Sequence, residues 1–264
     1  MRKLFWVPVV LIATVISLGQ PDQAAAFQLL SHQAVYDLTL MPGGDGKVSN
    51  ADGRLVIEWA DTCDGYTTEQ RMLMRLDVES GVVSSDFQFS SWESKDGDQF
   101  RYDVTTLFTG AAPEVFRGRA KRFQNAGLAT FTKPENLKVE LPEKIVFPSE
   151  HMARMIDRAA NGERQITMSM FDGTGKQGLF EAVAFVVGPA LEKPDALLEG
   201  YSNIPGWRIQ LSFFDLENQD QMPTYKVNFT LYSNGVAGDL VMDYSDFSVR
   251  GKLSAFKALP STGC

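Results

Sequence analysis

The fold is decided by the stretch YTTEQRMLMRLDV, residues 66–78, in which two kinds of side chain alternate. The apolar or uncharged set is Tyr66, Thr68, Gln70, Met72, Met74, Leu76 and Val78. The intervening set is mostly polar or charged: Thr67, Glu69, Arg71, Arg75 and Asp77. Because successive side chains of a β-strand point to opposite faces, this pattern predicts a long strand with one buried and one wet face. Such one-sided strands are typical of antiparallel sheets.

The same alternation recurs along the chain, at residues 100–105, 225–231 and 240–244. Between the candidate strands lie pairs such as Asp96-Gly97 and Asn234-Gly235, which supply the positive φ angles of tight hairpins. The run Phe171 to Lys176 has the glycines of a nucleotide loop but lacks the required spacing, and is interpreted as another hairpin turn. Strands at such short intervals favour a barrel, spiral or sandwich over βαβ units.

One segment breaks the two-residue period and predicts a short helix at about 149–161. Its apolar stripe has helical spacing and consists of Met152, Met155, Ile156 and Ala159. Ser149 is the expected N-cap, and Glu150 falls in the first turn, where the helix dipole favours an anion. Two interpretations stay open: the helix plugs one end of the sheet, or it is a lid over a ligand cavity, since methionine surfaces adapt to varied apolar shapes.

Residues 1–26 have the pattern of a secretory signal peptide. Arg2 and Lys3 precede an apolar run from Leu4 to Leu18, and Ala24–Ala26 supply the small residues of a cleavage site. The apolar run is shorter than the roughly 20 residues of a membrane span, so we expect no stable membrane insertion after cleavage. The formal net charge of −8 makes nucleic acid a poor partner.

Two cysteines, Cys63 and Cys264, are present in the 264-residue chain. In the oxidising compartment that a signal peptide implies, they are expected to form a disulfide. That bond would enclose nearly the whole mature chain, which favours one domain over residues 27–264 rather than two.

The search for catalytic motifs leaves few candidates. Neither an HExxH zinc motif nor a GxSxG nucleophile elbow is present. His32 is expected to be a hydrogen-bonded structural residue, and His151 to be exposed on the helix. We therefore predict no catalytic residues, no metal site and no cofactor. The alternative is a glycan hydrolase that uses carboxylates near Asp61, with Glu58 as the second acid.

Tryptophans and methionines supply the candidate ligand or partner surface. These residues are Trp59, Trp92, Met152, Met155 and Trp207. Large apolar side chains of this kind line binding surfaces, although isolated tryptophans more often fill a core. Both interpretations are open at this stage.

Several segments of the chain resemble the cell envelope integrity protein EipB family of alphaproteobacteria. They are HQAVYDL (32–38), WADTCDGY (59–66), FPSEH (147–151), FDG (171–173), LYSNGV (231–236) and DY (243–244). The resemblance implies a mainly β fold, a single many-stranded antiparallel spiral or open-barrel sheet with one short helix. It also implies a periplasmic location, a disulfide between the two cysteine positions and a role in envelope maintenance without enzymatic activity. Accordingly, we expect a binding scaffold for a periplasmic protein, peptide or lipid-like ligand.

Overall fold

The computed structural model describes residues 29–44, 46–191, 196–201, 204–217 and 222–260. The predicted signal peptide, residues 1–26, lies outside these ranges, and so does Cys264. Within the described residues no helix is both long enough and apolar enough to cross a membrane.

In the described part of the chain, fourteen strands form one antiparallel sheet. The first eight run outward in chain order: β1 His32–Leu40, β2 Val48–Asp61, β3 Gly65–Val78, β4 Gly81–Ser94, β5 Gln99–Phe108, β6 Glu114–Arg122, β7 Gly127–Lys133 and β8 Lys138–Leu141. After helix α1, Pro148–Ala160, six more return: β9 Gln165–Phe171, β10 Leu179–Pro189, β11 Gly206–Asp215, β12 Tyr225–Tyr232, β13 Ala237–Asp243 and β14 Ser248–Ala258. The sheet thus consists of two meanders that meet where β14 pairs with β1.

The sheet is nearly closed into a barrel with one seam. Its two terminal strands are β8 and β9. Across the seam, the Val146 N–H donates to the Ser169 carbonyl at 2.9 Å, and the Phe171 N–H donates to the Val146 carbonyl at 3.1 Å. These bonds form a single parallel bridge, so the edge of β9 is partly covered. The predicted open-barrel sheet with one short helix is confirmed.

Helix α1 occupies almost the predicted range, but its start differs. Phe147 is the N-cap and Pro148 the first helical residue, so the expected N-cap, Ser149, lies inside the first turn. Proline is well suited to that first position because its missing N–H would have no partner there. Met155 and Ile156 are buried, as the apolar stripe predicts, and belong to a core cluster with apolar side chains of β9 to β11.

An aromatic cluster fills the end of the barrel formed by β5 to β9. The Phe100 and Phe147 rings stack with centroids 4.9 Å apart, and the Tyr102 ring meets Phe131 edge-on at 5.2 Å. Gly118 permits this packing, since a Cβ there would lie 2.6 Å from the Tyr102 hydroxyl oxygen. The cluster fills this end of the barrel with buried side chains.

The connection between β10 and β11 has regular structure of its own. Strand β10 continues to Pro189, a 3₁₀ helix forms at Ala196–Tyr201, and β11 begins at Gly206. Leu198 of this 3₁₀ helix is fully buried, which attaches the connection to the core.

Candidate functional site

A cavity of about 300 Å³ lies inside the barrel, beneath the first turn of α1. Its walls come from the inner faces of β1 to β4, the end of β9 and the start of β12. Most of the lining is aromatic or apolar and includes Tyr36, Ile57, Trp59, Phe87, Phe89 and Met170. The two-residue period produces this lining, since Ile57 and Trp59 share one face of β2, as Phe87 and Phe89 share one face of β4. The size is at the lower end for small-molecule sites.

Helix α1 covers one side of the cavity. The Trp59 indole Nε1 donates to the Ser149 Oγ at 3.1 Å, which ties β2 to the first turn of the helix. Met152 lines the cavity and packs close to Gly235, where a Cβ would lie 3.4 Å from the methionine sulfur. The helix therefore packs its buried stripe on the sheet, and its Met152 forms part of the cavity wall.

The N-terminus of α1 is capped by a residue from another element. Glu93 of β4 is buried, and its carboxylate accepts the backbone N–H of Ser149 at 2.8 Å and of Glu150 at 3.4 Å. Carboxylates are favoured at this end of a helix. Burial nevertheless dominates and raises the pKa of Glu93 to about 7, although both hydrogen bonds act in the opposite direction.

A second carboxylate, that of Asp172, lines the cavity at the turn after β9. Its Oδ1 accepts the backbone N–H of Thr174 at 2.9 Å and the Thr174 hydroxyl at 2.6 Å. Gly178 leaves space for this oxygen, because a Cβ at that position would lie only 2.3 Å from it. Burial raises the pKa of Asp172 to about 6, and the bonds from Thr174 oppose that rise. The predicted hairpin turn therefore has a carboxylate at its centre.

The two histidines are both buried. His32 agrees with its prediction as a structural residue, with Nδ1 2.7 Å from the Leu30 carbonyl oxygen, and its ring also lines the cavity. The predicted exposure of His151 is wrong. This side chain is 5 % exposed, and burial lowers its pKa to about 4. Ser149 and His151 are both buried because the first turn of α1 is covered on more than one side.

The structure brings together two of the five predicted ligand-surface residues. Trp59 and Met152 line the cavity. Met155 is instead part of the core, 2 % exposed, and Trp207 packs against the same cluster from its margin. Trp92 is on the outer face of β4, with the Arg101 guanidinium 4.6 Å from the centroid of its ring.

Four residues that line the cavity are not among the predicted ligand-surface residues: Phe87, Phe89, Asp172 and Tyr225. The sequence does carry a signal for the two phenylalanines. They alternate along β4, and their partners on β3 lie on the inward face. The sequence around Asp172 indicates only a turn. Nothing local in the sequence indicates that it lines the same cavity as Tyr225 of β12.

The carboxylates of the hydrolase alternative do not share a site. Glu58 lies next to Trp59 on β2, so it points to the opposite face, where its carboxylate accepts the Gln33 amide at 2.9 Å. Asp61 forms an ion pair with Lys95. Asp64 accepts the Thr62 hydroxyl in the turn between β2 and β3. Among the residues that the structure describes, no group of three or more His, Cys, Asp or Glu side chains is placed to hold a metal ion.

Comparisons with known proteins identify the family of this chain and a solved structure with the same fold. The family model described as EipB-like matches residues 23–260. The cell envelope integrity protein EipB of Brucella abortus (strain 2308) is 34 % identical over 242 residues, covering 89 % of this chain and 86 % of the relative. A crystal structure of a beta-barrel-like protein of a domain of unknown function, from Brucella abortus, superposes with a TM-score of 0.80 at 31 % identity, over 88 % of this chain and 99 % of that one. The chain belongs to the EipB-like family.

Proposed function

We propose that this chain is a non-enzymatic binding protein that supports the integrity of the cell envelope. In this proposal it works in the periplasm after removal of residues 1–26, and its interior cavity holds the apolar part of a lipid-like ligand. The single observation that carries the binding role is the cavity itself, lined by apolar and aromatic side chains and covered by α1.

Three features of the cavity favour a ligand over simple imperfect packing. Natural cores are close-packed, and voids much larger than a water molecule are few. This one has about 300 Å³ and is lined by Met152 and Met170, whose flexible side chains adapt to varied apolar shapes. It also has a small number of polar groups, among them Asp172 and Thr174, as ligand pockets usually do.

The envelope role rests on the similarity to the Brucella abortus relative, which is named a cell envelope integrity protein. The non-enzymatic part rests on the geometry of the carboxylates. Glu58 and Asp61 lie on a strand at positions whose side chains face opposite sides, so they cannot flank one glycosidic bond as glycan hydrolysis requires.

Binding can be measured with N-phenylnaphthylamine, a neutral apolar fluorophore, titrated into the purified mature protein. Thr68 lines the cavity, and its neighbour Thr67 points to the outer face. Thr68→Phe fills the cavity and is expected to weaken probe binding by about tenfold or more, equivalent to at least 1.4 kcal/mol. Thr67→Phe adds the same ring outside the barrel and should leave probe binding unchanged.

Cells expressing either variant in place of the wild-type protein test the link to the envelope. Thr68→Phe should increase sensitivity to detergent and to cell-wall antibiotics, and Thr67→Phe should not. The proposal fails if the wild-type protein does not bind the probe, or if Thr68→Phe binds it normally. It also fails if Thr68→Phe loses binding while the envelope remains fully resistant.

A further inference from the structure

Asp172 lines the cavity, and one of its carboxylate oxygens accepts no hydrogen bond from the described residues. Within the described part of the chain, the Asp172 side chain accepts two hydrogen bonds. Both come from Thr174, and both end on Oδ1. The second carboxylate oxygen, Oδ2, is left to accept a bond from a cavity occupant. Gly178 and the Thr174 hydroxyl fix the orientation of the carboxylate, so this acceptor is preorganised.

The charge of Asp172 has no counter-charge in the cavity wall. Among the described residues that line the cavity, none is a lysine or an arginine. His32 also lines the cavity, but burial lowers the pKa of its imidazole, which keeps the ring neutral. At neutral pH, Asp172 is ionised, because its pKa of about 6 is still below that pH. Asp172 is half-buried in the cavity wall, and a carboxylate that has lost part of its hydration is stabilised by an ionic partner.

The Tyr225 hydroxyl is a second polar group on the same cavity. Its ring stacks on Phe213 with centroids 4.4 Å apart, which holds the side chain in place. Burial and the negative charge of Asp172 both raise the pKa of Tyr225, so the hydroxyl keeps its proton. Among the residues that the structure describes, none forms a hydrogen bond with this hydroxyl, so it can donate to or accept from an occupant.

We propose that the occupant is a single-chain amphiphile with an ammonium head group, bound at Asp172 and Tyr225, and an apolar chain that lies among Ile57, Phe87, Phe89 and Met152. This inference rests on the proposed function and specifies its ligand. An ammonium donates up to three hydrogen bonds and neutralises Asp172, whereas a carboxylate or phosphate head would place a second negative charge beside it. A hydroxyl head can donate to Asp172 but leaves its charge uncompensated.

The test compares three amphiphiles that share one chain: decylamine, decanol and decanoate. Each is titrated against N-phenylnaphthylamine bound to the mature protein near neutral pH, below the concentration at which it forms micelles. Decylamine should displace the probe at a concentration about tenfold or more below that of decanoate, with decanol between them.

Asp172→Asn keeps an Oδ1 acceptor for Thr174 and removes the charge. This variant should lose the preference for decylamine over decanol while still binding decanol. Asp157→Asn, at an exposed position on α1, removes the same charge far from the cavity and should behave as wild type. If Asp172→Asn does not fold, Tyr225→Phe is the second variant, and it should weaken decylamine binding without changing the affinity for the probe.

Equal displacement by the three amphiphiles, or tighter binding of decanoate, would overturn the inference and leave the proposed function standing. A preference for decylamine that persists in Asp172→Asn would also overturn it. If neither the probe nor any of the three amphiphiles binds the wild-type protein, the proposed function itself fails, and this inference fails with it.

Discussion

The carboxylate of Glu93 accepts the backbone N–H of Ser149 at 2.8 Å, so a strand of the barrel caps the helix that covers the cavity. The two residues are 56 positions apart in the sequence. Since the N-cap residue Phe147 has no polar side chain, the helix depends on this distant carboxylate for its first free N–H groups. Formation of α1 is thereby coupled to formation of β4.

Glu93→Gln is predicted to remove a pH dependence of stability. The pKa of Glu93 rises from 4.5 to about 7 on folding, so the folded state holds an extra proton between these values. The corresponding stability is present below pH 4.5 and is lost as the pH rises through about 7. Its size is up to about 3 kcal/mol, at 1.36 kcal/mol per pKa unit.

Urea unfolding at a series of pH values measures this effect. The free energy of unfolding of the wild type minus that of Glu93→Gln should fall between pH 4.5 and 7 and then level off. Glu140→Gln, at an exposed position of β8, is the matched control and should give a flat difference. A flat difference for Glu93→Gln as well would show that burial does not raise the pKa of Glu93.

His151→Gln is predicted to remove a pH dependence of stability that has the opposite sign. The pKa of His151 falls from 6.5 to about 4 on folding, so the unfolded state binds a proton that the folded state excludes. The wild type therefore loses stability as the pH drops from 6.5 towards 4, and His151→Gln should not lose that part. Between pH 4.5 and 6.5 the Glu93 and His151 contributions oppose each other, and only the difference curves separate them. A wild type and variant that respond identically to acid would contradict the prediction.

The strands and the helix of this protein follow from local sequence patterns. The alternation at 66–78 predicts β3, and the methionine stripe predicts α1, because each depends on residues within one element. The Asn234-Gly235 pair predicts a hairpin turn for the same reason, and Gly235 has a φ of 86°.

The candidate site depends on contacts between distant elements, and local patterns carry little information about it. Burial of His151 arises because the first turn of α1 is covered by other parts of the fold. Glu93 did leave a signal, since it shares a face of β4 with Phe87, Phe89 and Ser91. A charged residue on an otherwise inward face indicates a buried polar contact. The sequence of β4 does not indicate that the partner of Glu93 is the N-terminus of a helix.

Arg122→Lys is predicted to weaken the attachment of α1 at the seam. The Arg122 side chain is 16 % exposed, and its Nη1 donates to the Ile145 carbonyl at 2.8 Å and to the Glu150 carboxylate at 2.7 Å. The Nη2 of the same guanidinium donates to the Asp96 carbonyl at 3.4 Å, so the planar group joins three acceptors, and a single lysine ammonium cannot occupy both nitrogen positions. The expected loss is about 1–3 kcal/mol of unfolding free energy.

Amide hydrogen exchange locates the effect of this substitution. Faster exchange is expected in the first turns of α1 and at Val146, whose N–H crosses the seam. Arg119→Lys, at an exposed position on the same strand, should change neither the stability nor the exchange. Uniformly faster exchange throughout the sheet, with no excess in α1, would count against a local role at the seam.

The position of Cys63 supports the predicted disulfide to Cys264, which lies outside the described residues. Cys63 is in the turn after β2. Ser31 links this end of β2 to the end of β14, because its Oγ accepts the Asp61 N–H at 2.9 Å and its carbonyl accepts the Leu259 N–H at 2.8 Å. Strand β1 separates β2 from β14, a distance of about 10 Å at the usual strand spacing. Four residues after Pro260 can span about 14 Å.

Cys63→Ser is therefore predicted to lower the free energy of unfolding by about 2–5 kcal/mol, because the bond closes a loop of roughly 200 residues in the unfolded chain. Thermal unfolding with and without reductant measures the effect. Reductant should lower the melting temperature of the wild type by several degrees and leave that of Cys63→Ser unchanged. Alkylation of the unfolded wild type should label no thiol before reduction and two after it. A wild type that labels fully without reduction, or melts at the same temperature with and without reductant, would show that the bond is absent or contributes nothing.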